Sequence, residues 1–371
     1  MEGADNIVAA LELKDRVHQI SLWNYPSPRL EWIAAAMMGS FPALTCLVIT
    51  LTDETVADAV LSEAFLGGSA PRLRSCLLMG IPFPGIPRLL LSTNHLVSLT
   101  LRDVPHFGYI SPEAMVTCLS AMPNLKQFWL GFSPRESIPD QPSQRPPPLI
   151  PAVLPTLTDF GFEGAAKYIE DLLPRIDTPL LYNVYIYLFY PPIVFGTPQL
   201  HNFLARSHIF ESCSGAVVEF YDEDVYFRHG HQFSLGISSG TFLGQLSSLV
   251  QICSLSFPPI CTLERLDIRV DRFTIPPLPG VFDVENILWL EFFSSFTALK
   301  HLCLDKYCAQ RIARALRLSQ LAAEGATQVL PALQSLFIEG LSGLTQEAIW
   351  EFATIRQLSG LPVAVYSWDG Q

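Results

Sequence analysis

Apolar residues recur along this chain in one spaced phrase. "FPALTCLVIT" carries Leu44, Leu47 and Ile49, and "LPALQSLFIEGL" carries Leu333, Leu336 and Ile338, at steps of three and two. The phrase returns in "VHQISLW" (Val17, Ile20, Leu22), "LRSCLL" (Leu73, Cys76, Leu78), "LVSLTL" (Leu96, Leu99, Leu101) and "LKQFWL" (Leu125, Phe128, Leu130). It is written again in "LTDFGF" (Leu157, Phe160, Phe162), "LYNVYI" (Leu181, Val184, Ile186), "LERLDI" (Leu263, Leu266, Ile268) and "LKHLCL" (Leu299, Leu302, Leu304). First positions fall 23 to 36 residues apart, except for one interval of 82 between Leu181 and Leu263. The fourth and sixth positions, two apart on a strand, point to one face, and the first turns in from the preceding loop to join them. "GAVVEFYD" and "QFSLGIS" are the strands expected within the long interval.

Helix signals stand between the strands. "SPEAMVTCLSAM" offers Ser111 as N-cap with Pro112 in the first turn, and "TPQLHNFLARS" repeats the device with Thr197 and Pro198. "TQEAIWEFATIRQLSG" predicts a helix from Thr345 to a stop at Gly360.

LxxLxL at this period is the signature of a leucine-rich repeat. One unit cannot bury its apolar face alone, but stacked units share a continuous core. The predicted fold is therefore α/β: a leucine-rich-repeat solenoid with a curved parallel sheet on its concave side and helices on its convex side. It forms a single domain of about twelve repeats over residues 1–371. An ordinary α/β domain with leucine-rich strands is the alternative. The repeats are expected to be irregular, because Thr52, Ile81, Val104 and Ser133 stand where an asparagine or cysteine turn residue is usual. The Pro-rich stretch 133–151 reads as an exposed insertion within a repeat, since the pattern resumes at Leu157.

The third, fifth and seventh positions of each phrase project onto the open face of the sheet. They read Gln127, Trp129, Gly131; Asn183, Tyr185, Tyr187; Arg265, Asp267, Arg269; His301, Cys303, Asp305; and Ser335, Phe337, Glu339. Trp129, Tyr185, Tyr187 and Phe337 offer large rings where a solvated sheet prefers polar residues, and such rings anchor partners. Arg265 and Arg269 flanking Asp267 add charged selectivity. Packing of these aromatics under the Pro-rich insertion is the competing expectation. Trp129 and Tyr185 share the fifth position two strands apart, an expected separation of roughly 10 Å.

Composition narrows the function. At 49% hydrophobic and 16% charged residues the chain has the makings of a folded core, and its net charge of −12 speaks against nucleic acid. The opening "MEGADNIVAALELKDR" holds Glu2, Asp5, Glu12 and Asp15 and is not a secretory signal. "PLLYNVYIYLFYPPIVFG" is too short and too broken by Pro191 and Pro192 to span a membrane, and its alternating Tyr185, Tyr187 and Phe189 suggest buried β structure. Eight cysteines without a CxxC read as reduced thiols, so a cytoplasmic or nuclear protein without membrane contact is expected. "HGH" (His229, His231) beside "EFYDED" (Glu219, Asp222, Glu223, Asp224) reads as surface turns rather than a metal site. There is no GxSxG, GxxxxGK[ST] or HExxH, and "GISSG" (Gly236–Gly240) reads as turn residues, so no enzyme, cofactor or metal is expected.

With the repeats laid out, the chain resembles the leucine-rich-repeat region of the fungal F-box/leucine-rich-repeat-like proteins. The resemblance rests on "DRVHQISLW", "FLGGSAPRLRSCLLMGIPFPGIPRLLLS", "GYISPEAMVTCLSAMPNL", "RIDTPLL" and "QVLPALQSLFIEGL", and spans nearly the whole chain. It implies a substrate-recognition subunit of a ubiquitin ligase, whose repeats hold a protein target while an F-box docks a Skp-type adaptor. The first strand begins at Val17, so the F-box is expected to be absent from this chain and the adaptor to join only through one encoded upstream. A stand-alone leucine-rich-repeat scaffold is the alternative, and a hydrolase-type enzyme a distant one.

Overall fold

The computed structural model describes residues 2–51, 60–133, 150–189, 196–207, 209–210, 214–254, 260–271, 282–321, 329–341 and 343–368. Most of the Pro-rich stretch, 134–149, lies outside the described residues, as do Thr52 and Pro191–Pro192. The chain forms two compact units, Met1–Tyr185 and Ile186–Gln371, and its strands make a mostly parallel sheet of 14 strands that does not close into a barrel.

The first unit holds β1 (Gln19–Tyr25), β2 (Cys46–Leu51), β3 (Ser75–Met79), β4 (Ser98–Val104), β5 (Gln127–Phe132), β6 (Ala152–Val153), β7 (Asp159–Gly164) and β8 (Ile176–Asp177). It ends within β9 (Asn183–Phe189). The strands run in the order β1-β2-β3-β4-β5-β7-β9, while β6 and β8 pair with each other. Its helices are α1 (Glu2–Leu11), α2 (Ser27–Ala36), α3 (Ile86–Leu91), α4 (Pro112–Ser120) and α5 (Ala166–Leu172).

Several strands are entered through one local device. In "FPAL" the Leu44 N–H bonds to the Phe41 carbonyl at 3.1 Å, and "MPNL" and "LPAL" do the same from Leu125 to Met122 and from Leu333 to Leu330. Proline at the second turn position fixes the φ that such a turn needs, so the step from Pro42 to Leu44 is a turn followed by an inward leucine. The next link is also repeated. The His18 carbonyl accepts from both Thr45 and Cys46, Thr45 accepts nothing less from Arg74 and Ser75, and Lys300 likewise accepts from Gln334 and Ser335. Leu44, Leu47, Ile49, Leu96, Leu99 and Leu101 then lie at 0–1% exposure.

Four strands are left through a second device. Asn24, Gly80, Asp103 and Gly340, each two residues past the last inward side chain, have φ of 50°, 72°, 48° and 61°. Asn, Asp and Gly are the residues that tolerate this left-handed conformation, so they turn the chain off the sheet. At Ile81 and Val104 the missing asparagine is thus preceded by a left-handed residue, whereas Leu51 and Phe132, before Thr52 and Ser133, are not left-handed.

The second unit holds β10 (Gly215–Phe220), β11 (Asp224–His229), β12 (Phe233–Ser238), β13 (Arg265–Val270), β14 (His301–Leu304), β15 (Ser335–Glu339) and β16 (Ala364–Trp368). Their order is β12-β11-β10-β13-β14-β15-β16. Its helices are α6 (Pro198–Ala205), α7 (Phe242–Ser254), α8 (Phe282–Ser294), α9 (Lys306–Leu321) and α10 (Gly343–Leu358). Both strands expected in the long interval are present, but β11 runs antiparallel between them. Its "DVYFRH" has no LxxLxL spacing, yet it alternates with burial of Val225, Phe227 and His229.

Ser111 caps α4 as expected, its hydroxyl accepting from Ala114 N at 3.3 Å. Thr197 precedes α6 without a side-chain cap bond. At the end of α10, Leu361 N bonds to Arg356 O and Gly360 N to Gln357 O, with Gly360 at φ 78°. That pairing is a Schellman stop, which glycine favours. Among the described residues no helix is long and apolar enough to cross a membrane.

Candidate recognition face

The expected alternation is present on β9, β13 and β15, and on β5 as far as Leu130. Val184, Ile186 and Leu188 are buried in β9, whereas Tyr185, Tyr187 and Phe189 are only half-buried on the other face. The tyrosines therefore do not form the buried side of this strand. Phe337 is likewise half-buried between buried Leu336 and Ile338.

In the first unit, Trp129 and Tyr185 stand two strands apart as expected, but their rings lean together over the strand between and stack at 4.8 Å with 26° between planes. Gly161, which pairs with Trp129 in register, makes this possible, since a Cβ there would collide with the indole ring. Arg102 also lies over Trp129, its Cζ 4.2 Å from the ring centre. It also reaches Glu163 at 3.7 Å past Gly131, where a Cβ would sit 3.1 Å from the Glu163 Oε2. Burial raises the Glu163 carboxyl above its ordinary value, partly offset by Arg102 and reinforced by Asp103. Two bare glycine positions thus let side chains from alternate strands meet. Arg102 and Glu163 occupy the seventh position of their phrases, and reading glycine at a projecting position as a gap is the signal that would have found them.

Tyr187 uses the same device within the second unit. Its ring stacks near Tyr226 at 5.9 Å over Gly236, where a Cβ would collide with the Tyr187 ring. Its hydroxyl donates to Asp224 Oδ1 at 2.5 Å, and burial and then this bond raise the phenol above its ordinary value. Tyr187 is tied into the sheet, and Gly236 lies within β12 rather than in a turn.

Arg265, Asp267, Arg269 and Phe337 come together. They line a cavity of about 650 Å³ with Glu219, Tyr221, Cys303, Asp305 and Glu339. Register explains the gathering, because Asp267, Cys303 and Phe337 face one another on β13, β14 and β15. Arg265 grips Asp267 with Nε at 3.0 Å and Nη2 at 3.3 Å. Arg269 stands 3.7 Å from Asp267 and 3.8 Å from Glu219, beyond hydrogen-bond reach, and Glu219 is also paired with Arg228. The two arginine side chains are 56% and 59% exposed above carboxylates that are 16% exposed, so these are screened surface pairs worth little to stability.

Cys303 is nearly buried, and burial followed by its bond to Asp267 pushes the thiol up to about 12. Asp305 accepts from Val270 N at 2.5 Å and Cys308 N at 2.7 Å, capping α9. Its carboxyl is raised by burial, against those backbone bonds, with Glu339 adding to the rise. Phe337 stacks on half-exposed Tyr366 at 4.9 Å and 16°.

The histidines and acids read as turns lie at opposite ends of β11: Asp222 and Glu223 precede it, while His229 closes it and Gly230 and His231 follow. Among the described residues no group of three or more His, Cys, Asp or Glu side chains is placed to hold a metal ion. No protein-family model matches the chain, and no curated protein matches its sequence.

Proposed function

We propose that this chain is a leucine-rich-repeat recognition module that holds a protein target on the open face of its sheet. In line with the resemblance of its phrases, we read it as the substrate-recognition part of an F-box-type ubiquitin-ligase subunit. The observation that carries the binding reading is the cavity that collects Arg265, Asp267, Arg269 and Phe337, four side chains that an open sheet face does not need for folding. The repeated turn, strand and left-handed exit support the repeat assignment. Asp267 and Glu219 lie in ion pairs, Asp305 is held as a helix cap, and the Cys303 thiol is kept protonated, which supports binding over catalysis.

Affinity capture with the 371-residue chain, followed by mass spectrometry, reports target and adaptor together. A protein target is expected whose retention falls about thirtyfold when Trp129 or Tyr185 is replaced by alanine in a folded variant. Undiminished retention in both variants and in Arg269→Ala would remove the open face as the site.

A further inference from the structure

Among the described residues an arginine is closed three times between an aromatic ring and a carboxylate. Arg102 lies 4.2 Å over Trp129 and 3.7 Å from Glu163. Arg311 lies 4.2 Å over Phe242, with both Glu285 oxygens at 3.2 Å from its Nη1. Arg228 lies 5.2 Å over Tyr226 and is paired with Glu219. A guanidinium suits this place because one face rests on the π cloud while its edge donates to the carboxylate.

The second-unit cavity presents the same arrangement without its cation. Phe337 and Glu339 stand two apart on β15 and so share a face, and Asp305 follows the neighbouring β14. All three line the cavity. Among the described residues Glu339 has no ion-pair partner. The cavity's own arginines lie over other carboxylates, Arg265 hydrogen-bonded to Asp267 and Arg269 3.7 Å from Asp267 and 3.8 Å from Glu219. Lys306, beside Asp305, lies over Tyr307 at 4.9 Å. Five carboxylates (Glu219, Asp267, Asp271, Asp305, Glu339) line the cavity against those two arginines, and the chain as a whole is at −12. An acidic ligand would meet that surplus, whereas a basic one relieves it.

We infer that the cavity takes an arginine side chain from a partner protein, stacked on Phe337 and paired with Glu339 and Asp305. This rests on the recognition reading and names the chemistry of what is recognised. The partner segment is basic at the point of contact, and the Phe337–Tyr366 stack supplies the apolar wall that the arginine stem covers.

The test is fluorescence anisotropy with a labelled arginine–serine repeat peptide and its glutamate–serine counterpart. The arginine peptide is expected to bind saturably and the glutamate peptide not. Glu339→Gln and Phe337→Leu should each weaken it about tenfold, while Glu347→Gln on the exposed side of α10 changes it less than about twofold. Equal binding by all three variants, preference for the glutamate peptide, or no binding of the arginine peptide overturns the inference. A captured target that is lost with Trp129→Ala but retained by Glu339→Gln and Phe337→Leu would overturn it while leaving the recognition reading standing.

Discussion

Trp129 and Tyr185 stack at 4.8 Å although a strand lies between theirs, because Gly161 leaves that strand bare beneath them. The pair is thereby ordered by the sheet itself, which would lower the cost of using it as an anchor on the proposed recognition face. Gly161→Ala puts a methyl where the indole lies and must push the ring aside. The expected loss is about 1–3 kcal/mol of stability, as for other overpacked sites, with a changed near-UV circular dichroism spectrum. A variant with the parent's spectrum and melting curve would show that the stack does not depend on the glycine.

Leu99 sits at 0% exposure on β4, between Cys76 on β3 and Phe128 on β5. Leu99→Ala removes buried methyl groups from a stack whose neighbours cannot close in fully. Denaturant unfolding should report a loss of about 2–5 kcal/mol. A loss under about 1 kcal/mol would mean the site collapses around the alanine.

The strands were legible because the inward positions of each repeat must be apolar for units to stack. Leu47, Leu99 and Leu336 announce the same face each time. The exits were harder to read, since the turn rests on a backbone angle that Asn24, Gly80, Asp103 and Gly340 all tolerate, and no single residue type marks it. β11 escaped because an inserted antiparallel strand owes nothing to the repeat period. On the open face, alternation alone found Arg265, Asp267, Arg269 and Phe337. Arg102, Glu163 and Tyr226 escaped because each matters through a neighbour it meets across the sheet. Such meetings depend on which strand lies beside which, and on where glycine leaves room.

Stability should rise on mild acidification. Asp103 and Asp305 are raised from 3.8 and Glu163 from 4.5, with burial the leading cause in each. A carboxyl that binds its proton more tightly when folded stabilises the fold fully below its unfolded value, and that contribution is lost as pH rises through the folded one. Denaturant unfolding from neutral pH down to the ordinary carboxylate range should therefore show a gain from these groups, and Glu163→Gln should show a smaller one. Identical pH profiles for the two proteins would contradict the burial of Glu163.

Cys303 lines the cavity and gives a chemical reading of it. Burial, then the bond to Asp267 and its charge, hold the thiol up to about 12, against the smaller opposing pull of Arg265 and Arg269. Only the thiolate attacks an alkylating reagent, so at neutral pH Cys303 should be modified far more slowly than exposed Cys261. Asp267→Asn removes the carboxylate charge while keeping a side chain of the same shape. It also releases the two arginines to act on the sulfur alone. Burial still keeps the thiol above its ordinary value, but less so, and iodoacetamide labelling followed by peptide mass spectrometry in mildly alkaline buffer should find Cys303 modified severalfold faster in the variant. An unchanged or slower rate would mean that burial alone governs the thiol, and that Asp267 serves the cavity only by holding Arg265 and Arg269 in place.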